Sequence, residues 1–236
     1  MATARKPEAR DETNELGPLL EALYRARFSP DDLEAMRAVW RVLVRDFFQA
    51  RIRRDRLVVD VGAGPCLFIN EVKAARRIAM DANPEVARFA GAGVETVVTD
   101  DLSLRELPDG SVGHFFLSNF LEHLPDYRAV LSLLATLRRK LEPGGTALIL
   151  QPNFSLVPRR YFDFVDHQVI LTDRSLVEAL EVAGFEVREL RRRFLPFTSK
   201  SVLPKWPLAV ALYLRLPPLQ WLLAGQSFIL AARPSA

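Results

Sequence analysis

The sequence predicts a doubly wound α/β fold, and three observations carry that prediction. Leu57-Val58-Val59-Asp60-Val61 is an apolar, largely β-branched run with one carboxylate inserted, the pattern of a parallel strand covered on both faces. It breaks into Gly62-Ala63-Gly64, where residues without a Cβ allow a tight turn and a close approach to a ligand. From there on, short apolar runs alternate with stretches of helical periodicity almost to the end of the chain.

Composition bounds the possibilities. At 236 residues and 49% hydrophobic, the chain suits one globular α/β domain with additions, expected as an N-terminal tail and helical cap over 1–54 and a domain over 55–236. One cysteine excludes an internal disulfide framework, and three scattered histidines predict no metal site of the zinc type. A net charge of +3 does not point to nucleic acid. Met1–Glu15 alternates charges and lacks the apolar core of a signal peptide, so a cytoplasmic location is expected.

In chain order, residues 1–15 read as a solvated tail. Ser29-Pro30-Asp31-Asp32 reads as a helix start, with Ser29 as cap, Pro30 in the first turn and acids where the helix dipole favours them. Apolar positions from Leu33 to Phe47 recur at helical spacing and carry that helix to about Ile52. The first strand, 57–61, leads through the glycine turn and Pro65 into a helix over about 66–75, and the second strand follows at about 77–81. Asn83-Pro84 opens a helix to about Ala90, and 94–98 is the third strand. A turn at 107–111 precedes the fourth strand, 112–118, and a helix over about 127–140. Pro143-Gly144-Gly145 feeds the fifth strand, 146–151. Thr172-Asp173-Arg174-Ser175 caps a helix to about Ala183, Gly184-Phe185 turns into the sixth strand, 186–191, and 227–232 is the last.

Asp60-x-Gly62-x-Gly64, Asp81 after Arg77-Ile78-Ala79-Met80, Asp100-Asp101, Ser118-Asn119-Phe120-Leu121-Glu122-His123-Leu124 and Leu141-Glu142-Pro143-Gly144-Gly145 follow one another in a fixed order. This series resembles the class I S-adenosylmethionine-dependent methyltransferases that modify small molecules, over about residues 55–193 and the last strand. The resemblance implies a Rossmann-like, seven-stranded sheet, mostly parallel with an antiparallel last strand, with helices before it that cover the cleft; packing against the sheet edge is the alternative. It also implies S-adenosylmethionine as cofactor. Asp60, Gly62 and Gly64 would form the turn that admits it, and the start of the following helix would receive its carboxylate. Asp81, about 20 residues past the turn, is placed to accept the ribose hydroxyls. Asp100 or Asp101 would face the adenine amino group, Asp100 being favoured. Ser118 and Asn119 would line the methionine portion. Cys66 stands where the family commonly has a third glycine; it is small enough for cofactor binding to survive, and its packing role outweighs that of a reactive thiol.

Outside this series, His114 reads as a strand-start variation and His123 as an organiser of its loop. Tyr161-Phe162-Asp163-Phe164-Val165-Asp166-His167 places a histidine among aromatic and acidic residues after the fifth strand. His167 reads either as a hydrogen-bonded organiser or as a general base with Asp166 as its orienting partner. The segment 194–225 is apolar, aromatic and interrupted by prolines, and no transmembrane helix of roughly 20 continuous apolar residues fits it. It reads as a lid or homodimer surface, or as a peripheral contact with the inner membrane face, Trp and Tyr at the interface and Lys or Arg toward head groups. The acceptor is expected to be a small molecule, amphipathic or linked to a glycan or lipid, methylated on oxygen or nitrogen. A nicotinamide dehydrogenase disagrees with Leu67 at the sixth position of the turn motif, and a nucleic-acid adenine methyltransferase disagrees with Ser118-Asn119-Phe120-Leu121 after the fourth strand. A non-catalytic protein retaining the fold is the alternative.

Overall fold

The computed structural model describes residues 30–197 and 206–235. The tail at 1–15, the Ser29 cap and residues 198–205 of the apolar segment lie outside the described residues. The chain divides into two compact units, Met1–Glu34 and Ala35–Ala236, and the second carries the sheet.

Seven strands, β1 (Leu57–Val61), β2 (Arg76–Asp81), β3 (Val94–Val98), β4 (Val112–Ser118), β5 (Leu141–Pro152), β6 (Glu186–Arg191) and β7 (Gln226–Ala232), form one sheet in the order β3-β2-β1-β4-β5-β7-β6. β7 runs antiparallel to both β5 and β6, and the other pairings are parallel. This is the sheet that the sequence predicts. Central β1 and β4 are buried almost throughout, whereas edge strand β6 alternates exposed and half-buried residues, because only one of its two faces meets protein.

The period of two divides the strand residues between two cores. On one face Val59, Val61, Phe115, Leu117, Ile149 and Ile229 pack with helices α3 (Tyr127–Lys140) and α4 (Asp173–Val182). Both helices are capped, α4 by a Thr172–Ser175 capping box as the sequence suggests and α3 by Asp126, which accepts from Ala129 N. On the other face Val58, Phe116, Leu148 and Phe228 meet an aromatic nest built from Phe47, Phe48, Phe68 and Phe194. Phe68 stacks on Phe116 with ring centroids 3.7 Å apart, and Phe47 lies 4.2 Å from Phe194.

Three expected helices differ from the structure. The first is α-helical only as α1 (Pro30–Leu43); it widens into a π turn over Val44–Phe48 and closes in a 3₁₀ turn over Gln49–Arg51. The wider turn lets the consecutive rings of Phe47 and Phe48 both enter the nest, so this segment lies on the sheet face and not at its edge. The stretch 66–75 is a succession of turns and no α-helix, because Cys66 adopts a left-handed φ of 57° that a helix start cannot accommodate. The stretch after Asn83-Pro84 is helical only as the single turn α2 (Val86–Phe89). The side-chain amide of Gln49 holds the turn-rich segment down, accepting from Lys73 N at 2.8 Å and donating to Lys73 O at 3.1 Å.

In the apolar segment, α5 (Pro207–Arg215) and α6 (Pro217–Leu223) each start with proline in the first turn. Tyr213, buried, donates to Phe194 O at 2.8 Å, while Trp206, Leu208, Trp221 and Leu222 are each at least 68% exposed. Among the described residues no helix is long and apolar enough to cross a membrane.

His114 is structural, as its sequence position suggests. Its Nε2 accepts from Arg53 N at 2.9 Å, which puts the proton on Nδ1, 2.7 Å from Thr146 Oγ1. Burial, helped by Arg53 and Arg56 and opposed by Asp55, lowers its pKa to about 4. The neutral form is held in the fold, so this contribution is complete above the unfolded value near 6.5 and is lost as pH falls toward 4. Comparing chemical denaturation of the wild type and His114→Asn, we expect the stability gap to shrink by up to about 3 kcal/mol between pH 7.5 and pH 4. A gap independent of pH would show that His114 does not titrate in this way.

Candidate active site

The sheet order reverses between β1 and β4, since β1 continues toward β2 on one side and β4 toward β5 on the other. In open α/β sheets the crevice beyond the carboxyl ends of such strands is where ligands bind. The residues predicted to hold a cofactor emerge there: Gly62 and Gly64 after β1, Asp81 at the end of β2, Asp100 and Asp101 after β3, Ser118 and Asn119 at the end of β4.

Asp81 is the hub of this end of the sheet. Its Oδ2 accepts from Gly64 N at 2.7 Å and its Oδ1 from Asn83 N at 2.8 Å, so one carboxylate sets the glycine turn and the start of the next segment. Each oxygen retains a lone pair for a further donor. Gly62 N and Ala63 N both donate to Met80 O, at 2.9 and 3.0 Å, which folds the turn back over β2. Gly62 has φ +70°, and a Cβ there would lie 2.2 Å from Cδ2 of Phe120, so the ring of Phe120 rests directly on this glycine. Asn119 also adopts a left-handed φ, 50°, which asparagine tolerates better than most residues. Its backbone N–H bonds Leu150 O at 2.9 Å and its amide donates to Ser118 Oγ at 3.2 Å.

Asp60 shares the face of Val58 and is buried. Desolvation, with Asp81 nearby, raises its carboxyl well above the usual range, while an Ile69 backbone bond opposes the shift. Its place is beneath the turn. Asp101 is taken up by its own loop, accepting from Ser103 N at 2.9 Å and Ser103 Oγ at 2.8 Å and pairing with Arg105, whereas Asp100 is exposed. The helix start expected to receive a carboxylate is absent, since the chain after Gly64 forms turns in which Cys66 N bonds Ala63 O at 2.8 Å.

A second group gathers beyond β4 and β5. Glu122 and His123, on a 3₁₀ turn (Leu121–His123), meet His167 from the loop after β5. Backbone bonds from Gln168 N and Val169 N to Glu122 O, at 2.7 and 3.1 Å, hold that loop in place. His167 is buried among Phe164, Tyr161 and Phe197, its ring centroid 5.1, 5.0 and 6.3 Å from theirs. Asp166, predicted to orient His167, places its Oδ2 3.3 Å from Nδ1 of His123. Glu122 has no exposed surface, and burial raises its pKa to about 7, with Asp166 adding to the shift and His123 and Gln151 opposing it. The sequence places Glu122 and His123 together at this end of the sheet, with only a part in ordering their loop. The adjacent acid and imidazole of Glu122-His123 were the available signal, but nothing local shows that His167, 44 residues on, completes the group.

Cys66 has no exposed surface, and its Sγ lies 3.7 Å from Val86 O and 3.8 Å from Gly64 O. Burial, with Asp60 and Asp81 adding, pushes the thiol up to about 12. A thiol-specific disulfide reagent at pH 8 should therefore modify the folded chain at less than about a tenth of the rate of the unfolded chain. Equal rates would mean that the turn opens freely.

Residues 59–149 match the model of a family described as a methyltransferase domain. No curated protein sequence matches the chain. A chain from the complex of the Haloferax volcanii Trm112 methyltransferase activator superposes with a TM-score of 0.63 at 17% identity, covering 96% of this chain and 100% of that one. A SAM-dependent methyltransferase from Archaeoglobus fulgidus gives 0.53 at 22% identity, with 80% and 94% covered. The [4+2]-cyclase SpnF gives 0.56 at 14% identity, with 98% and 86% covered. Identities this low speak to the fold. With the domain match lying across β1 to β5 of a sheet of this order, residues 59–149 match a methyltransferase domain, and the fold around them is the one shared with SAM-dependent methyltransferases of known structure.

Proposed function

We propose that this chain transfers a methyl group from S-adenosylmethionine to an oxygen or nitrogen of a small acceptor that is amphipathic, or linked to a glycan or lipid. The observation that carries the reading is the Asp81 carboxylate at the end of β2, fixed against the glycine turn and still able to accept two hydroxyl donors. The donor set fits the cofactor at the ribose, through Asp81, and at the adenine amino group, through Asp100, which is exposed where Asp101 is engaged. Ser118 and Asn119 line the methionine side of the crevice. Approach of a ligand to Gly62 requires the Phe120 ring to turn aside.

When bound, S-adenosylmethionine supplies a methyl carbon already activated by its sulfonium. The chain's own task is then to align the acceptor and exclude water. A hydroxyl acceptor must also lose a proton, and the basic groups beyond β4 and β5 are Glu122, His123 and His167. In our reading the pair made by Asp166 is with His123, whose ring is the more exposed of the two imidazoles. His167, walled by aromatic rings, acts as its neighbour in the same group.

The amphipathic acceptor rests on α5 and α6. Phe197, at the start of the apolar segment, lies 5.6 Å from Phe164 and so joins that segment to the His167 loop. The exposed Trp206, Leu208, Trp221 and Leu222 suit peripheral contact with a cytoplasmic membrane face that presents the acceptor. A homodimer would cover the same side chains.

Calorimetric titration with S-adenosylmethionine should show binding that Asp81→Asn weakens by about tenfold or more, some 1.4 kcal/mol. Unchanged affinity would remove Asp81 from the ribose site, and no binding by the wild type at high micromolar cofactor would favour a non-catalytic protein that keeps the fold. For the membrane contact, flotation with anionic liposomes should recover the wild type and lose Trp221→Ser/Leu222→Ser. The double variant spares Phe194 and Tyr213, which the core needs. Equal recovery would sink the membrane reading, and a concentration-dependent doubling of mass lost in the same variant would support the dimer.

A further inference from the structure

We propose that Glu122 Oε1, His123 Nε2 and His167 Nε2 form a binding site for one divalent transition-metal ion of the zinc type. The inference goes beyond methyl transfer and does not depend on it. The Glu122 carboxyl is entirely buried, with Oε2 held by Gln151 Nε2 at 3.0 Å and Oε1 receiving no hydrogen bond. Oε1 points between two imidazoles, 3.9 Å from His123 Nε2 and 3.9 Å from His167 Nε2. One ligand atom from each of the three residues lies within 4.8 Å of the others.

The protonation pattern favours a cation at the centre. His123 Nδ1 faces two oxygens of Asp166, the backbone O at 3.1 Å and Oδ2 at 3.3 Å, so its proton sits on Nδ1. The lone pair on Nε2 is thereby turned toward Glu122 Oε1, so that with Glu122 ionised two acceptors confront each other. A carboxylate or carbonyl that holds the far nitrogen of an imidazole is the usual support of a metal-bound histidine. One carboxylate and two imidazoles form a ligand set that zinc accepts, leaving coordination positions for water or another ligand. Bonds of about 2.0–2.2 Å would draw the ligand atoms to about 3.3 Å from one another, a closure of about 0.6 Å for each imidazole nitrogen toward Glu122 Oε1, with the two nitrogens starting no more than 4.8 Å apart. The frame around them is held: Gln168 N and Val169 N bond Glu122 O, and Tyr161 donates to Val169 O at 2.6 Å. With a metal bound, the three side chains serve as ligands and no longer as proton acceptors.

The competing occupant of the gap is a proton on Glu122. Untagged full-length chain, stripped with chelator, should bind Zn²⁺ calorimetrically at one ion per chain, and Co²⁺ should develop visible ligand-field bands at the same stoichiometry. We expect Glu122→Gln and His167→Gln each to weaken Zn²⁺ binding by at least tenfold, and Asp166→Asn by about tenfold through the support it gives His123. His114→Asn, remote from the group, should bind as the wild type does. Circular dichroism identifies any variant that fails to fold, in which case His123→Asn, at the most exposed of the three ligands, replaces it. The proposal is overturned if the wild type binds neither ion, or if binding persists unchanged in the folded ligand variants. Because the readout is metal binding, its failure leaves the cofactor assignment untouched, and failure to bind S-adenosylmethionine leaves the metal site untouched.

Discussion

The pair of hydrogen bonds accepted by Asp81 is the constraint on which the rest of this end of the molecule depends. A carboxylate at the last residue of β2 receives the backbone N–H groups of Gly64 and Asn83, and so joins the ends of two adjacent parallel strands. Charge-assisted bonds of this kind are stronger than bonds between neutral groups, and they act on a turn whose glycines already occupy left-handed backbone. The same anchoring sets where the crevice opens, because the glycine turn, Phe120 and Asn119 stand on the neighbouring strands. The residue that organises this end of the sheet is thereby the one on which the proposed ribose contact rests.

Behind that end, the sheet is supported unequally on its two sides. One face packs against two regular, capped helices. The other packs against irregular chain, the π turn before β1 and the turns after it, and obtains its close packing from phenylalanine rings. Edge-to-face and stacked rings fill space without the regular spacing of a helix ridge, so a segment that lacks helical backbone can still cover a sheet. Arg51 strengthens the same side, resting 3.7 Å over the Phe47 ring while it forms a bidentate pair with Glu189 at 2.7 and 2.9 Å. Cys66 fits this picture: its small side chain is buried in the irregular layer, and that burial raises its thiol pKa.

The group beyond β4 and β5 works under a different rule. A buried carboxyl with an unbonded oxygen is costly unless a proton or a cation joins it, and the two imidazoles beside Glu122 offer lone pairs as readily as protons. Burial that would weaken an isolated acid is here combined with a backbone frame that keeps three ligand atoms together. Its position, between the end of β4 and the aromatic loop that contacts the apolar segment, relates it to whatever enters the crevice from that side.

What the sequence determined by itself was the sheet. Apolar runs between turn residues mark the seven strands to within a residue or two, save that β5 starts earlier, at Leu141; the antiparallel β7 follows from the family resemblance, and the strand order is seen only in the structure. The cap of α4 is equally local, since a side-chain oxygen needs only the N–H three residues ahead. Tertiary structure decided the rest. The helix expected after Gly64 has the right apolar spacing, but a left-handed Cys66 and the packing of Phe68 on Phe116 hold the chain in turns, and spacing alone reveals neither. Asp166, 43 residues beyond His123 in sequence, brings its Oδ2 to 3.3 Å from Nδ1 of that ring, where the loop after β5 is bonded to Glu122 through its backbone. Periodicity registers contacts within a strand or a helix, whereas the meeting of Glu122, His123 and His167 depends on how two loops are hung on neighbouring strands.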